Sequence, residues 1–190
     1  MQYIRGRSTY MSPVTFFRKR FTADLYRGLA LLEEGNRKEA LRLFRSAFEL
    51  MNGDGLLADD YFPLLREAGV VDEHDRNYAI VSRRFAESIA AFPKAHNTYN
   101  SAAWMAARAS RDLDQALAHV NTALEMRPRQ AAYLDTKAEV WFARREREEA
   151  VKWSKRALLE SWHGGQAQSL GGVALHDQYE RFLSAPFPAP

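Results

Sequence analysis

The 190-residue sequence contains no cysteine. This absence excludes disulfide frameworks, thiolate zinc sites, iron–sulfur clusters and cysteine nucleophiles together. The sequence also lacks any uncharged apolar run of about 18 residues, the length that a membrane span needs, and its first residues lack the apolar core of a signal peptide. We therefore expect a soluble, cytoplasmic protein that has no membrane partner.

Strand patterns are equally scarce, because no stretch of strict apolar and polar alternation is bounded by tight Asn-Gly or Asp-Gly turns. Apolar residues make up 46% of the chain and charged residues 27%, which is close to the globular average. The length suits one compact domain or one short array of repeats. The composition thus predicts a folded chain built mainly from helices.

Charge is distributed unevenly along the chain. Residues 1–20 carry five basic side chains and no acidic one, which leaves 22 basic and 24 acidic residues in the rest. We interpret 1–20 as a basic N-terminal segment on a nearly neutral body. Five charges give only a modest attraction to phosphate, so nucleic acid is an unfavoured partner.

Helical spacing of apolar residues runs through most of the chain, and Ser12-Pro13 is typical of a helix N-cap followed by proline in the first turn. This spacing predicts a helical domain over residues 21–185, which is followed by a Pro-rich tail over 186–190. The predicted parts of the domain are helix pairs at about 21–54, 55–96, 97–130 and 131–164 and a final capping helix at 172–184.

Small residues recur at a fixed interval in these pairs. Ala116 and Ala123 lie 34 positions before Ala150 and Ala157, and two prolines that close a pair, Pro93 and Pro128, are 35 apart. Only small side chains let helix axes approach to about 8–10 Å, so a constant register of alanines indicates repeated helix crossings. The sequence therefore predicts an array of similar helical hairpins.

A 34-residue helical hairpin with this register resembles the tetratricopeptide repeat. The matching residues are Gly28, Gly35, Ala40, Phe44 and Ala47 in the first copy, Ala103, Ala116, Ala123 and Pro128 in the third, and Ala138, Ala150 and Ala157 in the fourth. The second copy is degenerate, with Ser88 where alanine is usual and a long internal turn. Segments Asn100 to Trp104 and Tyr133 to Glu139 also resemble the C-terminal repeat region of bacterial proteins of undefined role.

The resemblance implies an all-α fold, a right-handed superhelix (α-solenoid) of about four antiparallel helix pairs with a C-terminal capping helix. It also implies a non-enzymatic scaffold that binds a protein or peptide segment in its concave groove. The inward-facing positions carried over from the family are Asn97, Asn100, Ser101, Trp104 and Arg108 in the third copy and Asp135, Thr136 and Glu139 in the fourth. We expect an extended peptide with an apolar end and a basic or hydrogen-bonding end.

Several alternatives remain open at the level of sequence. The polar groove residues could instead join neighbouring helices, in which case they would stabilise the scaffold. As groove residues, Asn100 and Glu139 should both tolerate alanine without loss of stability. The other functional hypotheses are an RNA-binding helical repeat, which Asn97 to Asn100 echoes once, and a self-associating assembly domain. No nucleophile–base pair, cofactor loop or zinc spacing of histidines occurs, so we predict no enzyme, cofactor or metal.

Overall fold

A computed structural model describes residues 12–51, 53–164 and 170–188. Over these residues the protein is all-helical, as predicted, with nine α-helices and no β-strand. The helices are α1 (Pro13–Glu33), α2 (Arg37–Met51), α3 (Phe62–Glu67), α4 (Val71–Ala91), α5 (His96–Ala109), α6 (Leu113–Met126), α7 (Ala131–Ala143), α8 (Arg147–His163) and α9 (Leu170–Ser184). No helix in the described ranges is long and apolar enough to cross a membrane.

The chain divides into two compact units, Met1–Asp54 and Gly55–Pro190. In the first unit α1 and α2 form a hairpin. The Ser12 side chain caps α1 by accepting a hydrogen bond from the Thr15 backbone N–H, and Pro13 occupies the first helical position. The predicted N-cap is therefore confirmed. Helix α1 begins inside the basic N-terminal segment predicted over 1–20, of which residues 1–11 lie outside the described residues.

The hairpin of α1 and α2 depends on a glycine at the helix crossing. A Cβ atom added at Gly28 would lie 2.5 Å from the Phe44 ring, and that ring is completely buried. Real side chains do not approach so closely, so a larger residue at this crossing requires the buried Phe44 ring to move. Gly28 thus belongs to the pattern of small residues that the sequence indicated.

The second unit contains two regular hairpins, α5 with α6 and α7 with α8. Helix α7 also contacts α5 and α6, and α9 contacts α8, so each hairpin packs against its neighbour in the chain. The alanines that set the predicted register are all buried at these contacts, with at most 1% of their surface exposed: Ala103, Ala116, Ala123, Ala138, Ala150 and Ala157.

The degenerate second copy is the least regular part of this unit. It opens with a π-helical turn over Leu57–Tyr61 that continues directly into the six-residue α3. The expected long turn is absent, because Gly69 adopts a positive φ of 68° and α4 begins at Val71. The polar residues after Val71 form the first turn of α4, where acidic side chains are favoured by the helix dipole.

The C-terminal helix α9 covers an apolar cluster, as predicted for a capping helix. Phe182 is completely buried and forms a cluster with Phe142, Ala138 and Ala150. The Phe182 and Phe142 ring centroids are 5.0 Å apart, within the range of favourable aromatic pairs. Helix α9 therefore closes the faces that α7 and α8 would otherwise expose to water.

Candidate functional site

A groove of about 580 Å³ lies between helices α5, α7 and α9 of the second unit. Its volume falls in the range of about 300–1,000 Å³ that is usual for ligand sites. Its lining combines apolar, amide, hydroxyl and carboxylate groups, supplied by Asn100, Trp104, Gln130, Ala131, Ala132, Asp135, Thr136, Ala174, Leu175 and Gln178.

The structure brings four of the eight residues carried over from the family into this groove. They are Asn100 and Trp104 on α5 and Asp135 and Thr136 on α7. On α5, Asn97 and Ser101 are exposed and do not contribute to the lining. Arg108 and Glu139 line a separate cavity of about 420 Å³.

Trp104 forms a fixed apolar wall of the groove. Its indole Nε1 donates a hydrogen bond of 3.2 Å to Oδ1 of Asp59, in the π-helical turn. The Arg108 guanidinium carbon lies 5.7 Å from the ring centroid, within the range of a cation–π contact. The ring is thus oriented by two neighbours before any ligand arrives.

Two oxygen atoms at the groove are buried without a hydrogen-bond partner in the described part of the chain, Oδ1 of Asn100 and Oδ1 of Asp135. A buried acceptor left without a donor costs about 1–3 kcal/mol. Burial, and secondarily the charge of Glu139, raises the pKa of Asp135 to about 7, while Arg181 acts in the opposite direction. This carboxyl group therefore titrates near neutral pH, and its buried Oδ1 accepts no hydrogen bond from the described residues.

Glu139 lies one helical turn beyond Asp135 and is fully engaged by the protein itself. Only 2% of its surface is exposed. Its Oε1 accepts from Arg108 at 3.2 Å, and its Oε2 accepts from Gln178 at 2.7 Å and from Arg181. Because this network joins α5, α7 and α9, Glu139 supports the scaffold, contrary to the expectation that it could be replaced without loss of stability.

The contribution of the C-terminal segment was not apparent from the sequence. The Arg147 guanidinium donates to the backbone carbonyl of Phe182 and, at 2.6 Å, to that of Ala185. The Phe187 ring packs against the Phe142 ring, and their centroids are 5.2 Å apart. The amphipathic pattern of α9 predicted that it would pack, but no local signal identified Gln178 and Arg181 as partners of a residue about 40 positions earlier.

The described residues include no group of three or more histidine, aspartate or glutamate side chains that could hold a metal ion. His74, for example, is 1% exposed and pairs with Oδ1 of the neighbouring Asp75 at 2.7 Å. Desolvation, only partly opposed by this hydrogen bond, lowers the pKa of His74. This histidine therefore serves packing within α4 and its surroundings.

No model of a known protein family matches the chain, and no curated protein matches it either.

Proposed function

We propose that this protein is a non-enzymatic, tetratricopeptide-like scaffold whose hairpins form a right-handed superhelix and bind an extended peptide segment in the groove between α5, α7 and α9. The observation that carries this proposal is the pair of buried, unpartnered acceptors at that groove, Oδ1 of Asn100 and Oδ1 of Asp135. An extended peptide exposes backbone N–H donors and side chains at regular intervals, and it can satisfy such acceptors.

The lining of the groove also supports a peptide ligand through its balance of groups. Trp104 and Leu175 offer apolar surface, and Thr136 and Gln178 add polar groups to the lining. Ligand sites in proteins commonly combine an apolar wall with a few placed polar groups that fix orientation. This groove has both, and Trp104 is already fixed by Asp59.

RNA binding receives less support from the same surface. The residues that line the groove include one carboxylate, Asp135, and no lysine or arginine. A phosphate backbone is bound mainly through basic side chains, and an array that reads bases repeats its polar readers at one position. Binding of a fluorescein-labelled single-stranded RNA of mixed sequence at low salt is the measurement that would favour this alternative.

Self-association is favoured by one exposed surface. Leu159 and Trp162 lie three residues apart on α8, and 50% and 74% of their surfaces are exposed. Tryptophan is enriched among residues that dominate protein interfaces. Sedimentation velocity of the wild type and of Trp162→Ser over a range of concentrations distinguishes an assembly domain from a monomeric scaffold.

A library of random peptides displayed on phage and selected against the full chain tests the groove directly. Ala132 is an exposed alanine in the lining, so Ala132→Trp should fill the groove without disturbing the core. Ala118 on α6 is a matched control, because it is also exposed and its carbonyl accepts from Thr122 at 3.1 Å, as that of Ala132 accepts from Thr136 at 3.0 Å.

We expect selected peptides to lose about tenfold or more in affinity on Ala132→Trp and to bind Ala118→Trp like the wild type. Fluorescence anisotropy of labelled peptides measures both values. The proposal fails if no peptide is enriched, or if the enriched peptides bind Ala132→Trp as well as they bind the wild type.

A further inference from the structure

Helix α7 carries two carboxylates one turn apart, and they differ in their charged and hydrogen-bonding partners. Glu139 is matched by the guanidinium groups of Arg108 and Arg181 and by the Gln178 amide. Asp135 has no ion pair within the described residues, and its buried Oδ1 accepts no hydrogen bond from them. One carboxylate of the pair is thus neutralised within the chain and the other faces a groove.

We infer that the groove binds the ammonium group of a lysine side chain from the partner segment, held by Asp135 and by Oδ1 of Asn100. This inference rests on the proposed peptide-binding function and specifies its ligand chemistry. The two residues come from different helices and line the same groove, and Oδ1 of each is buried without a partner among the described residues. An ammonium group carries three donors on one atom and can address both acceptors, whereas a guanidinium is best suited to the two oxygens of one carboxylate.

The other charged groups around Asp135 leave its charge unmatched. From α7, Glu139 repels it, and from α9, Arg181 attracts it. Arg181 already donates to Glu139, and Arg108 from α5 donates to Glu139 and to the backbone carbonyls of residues 58 and 59. The carboxylate of Asp59, which accepts from the Trp104 indole, adds no positive charge to balance Asp135.

The apolar lining suits the rest of a lysine side chain. Its four methylene groups carry most of its surface and pack well along aromatic and aliphatic residues. Trp104, Ala132 and Leu175 supply such surface in the groove. A ligand with a cationic end and an apolar stem therefore complements both the polar and the apolar groups of the lining. A neutral chain of the same length complements only the apolar groups.

Two blocked tripeptides separate the charge from the stem: acetyl-Ala-Lys-Ala-amide, and the same peptide with norleucine, which keeps the methylene groups and lacks the nitrogen. Each is titrated into the ¹⁵N-labelled full chain while the Trp104 indole cross-peak, assigned with Trp104→Phe, is followed by NMR. We expect saturable shifts with the lysine peptide and binding about tenfold weaker or more with the norleucine peptide.

Variants test whether the Asp135 carboxylate is the group that binds the lysine peptide. Asp135→Asn keeps the shape of the side chain and should weaken binding of the lysine peptide about tenfold, with a smaller loss for Asn100→Ala. Glu87→Gln is the matched control, since it removes a carboxylate that is 71% exposed on α4 and lies 3.9 Å from Arg83. Affinity of the wild type should also rise from pH 6 to pH 8, as Asp135 becomes ionised, and this dependence should disappear in Asp135→Asn.

The inference is overturned if the norleucine peptide binds as well as the lysine peptide, if neither peptide gives a saturable shift, or if Asp135→Asn leaves the affinity unchanged. The comparison of the two peptides on the wild type needs no variant, so it decides the question even if a variant does not fold. Peptides selected from the library that need an open Ala132 position but contain no lysine would leave the peptide-binding function intact and remove the inference alone.

Discussion

The Glu139 network offers the sharpest test of how α9 is attached. Replacing Glu139 by glutamine keeps the size of the side chain but removes the charge that Arg108 and Arg181 share. Hydrogen bonds to charged groups contribute about 1.5–3 kcal/mol each. Since the two arginine side chains stay 21% and 30% exposed and regain some hydration, we expect a total loss of roughly 2–4 kcal/mol in the free energy of unfolding.

A loss of that size corresponds to a fall in melting temperature of roughly 4–16 °C for a chain of this length. Circular dichroism at 222 nm during heating, together with urea unfolding, measures it. Glu87→Gln is the matched control, because its carboxylate is exposed and should change the unfolding free energy by less than about 0.5 kcal/mol. Equal melting temperatures for Glu139→Gln and Glu87→Gln would refute the assignment of Glu139 to the scaffold.

Three further outcomes are expected. Gly28→Val should lower the urea midpoint by an amount equivalent to about 1–3 kcal/mol, because its Cβ collides with the Phe44 ring; an unchanged midpoint contradicts the close crossing. Phe182→Ala should cost about 3–5 kcal/mol in the same assay, since it empties a fully buried site against Phe142, and a loss below 1 kcal/mol would show that α9 is loosely docked. Folded Asp135 holds its proton up to about pH 7, but unfolded Asp135 releases it near pH 4. The free energy of unfolding of the wild type should therefore fall as the pH rises from about 4 to about 7, and Asp135→Asn should flatten this fall. Parallel pH profiles for the two proteins would contradict the raised pKa.

The sequence predicted the helices and their register because both depend on local information. Ser12 and Pro13 mark a helix start by capping chemistry, and the alanines recur wherever two helices cross. The long turn expected inside the second pair is absent, because the polar residues that follow Val71, which resemble a turn, belong to α4. Here the positive φ of Gly69 reverses the chain earlier than composition suggests.

The candidate site was predictable only in part, since its polar partners are distant in the chain. Asn100 and Asp135 line the groove between α5, α7 and α9. Glu139 comes from the same set of predicted residues. Its carboxylate is bound by Arg181, which lies 42 residues later in the chain and reaches it only because α9 packs there. Spacing within one repeat carries no information on which polar side chain a later helix will neutralise, so scaffold and groove residues could be separated only with the structure.

The way in which Arg147 holds the end of α9 has a practical consequence for labelling. Its guanidinium binds the main-chain carbonyls of Phe182 and Ala185, so this anchor depends on the path of the backbone and tolerates changes in the exposed side chains between them. Leu183 and Ser184 are exposed. A cysteine placed at Ser184 would be unique in this cysteine-free chain, and a fluorophore attached there would report the position of α9 from a site outside its anchoring contacts.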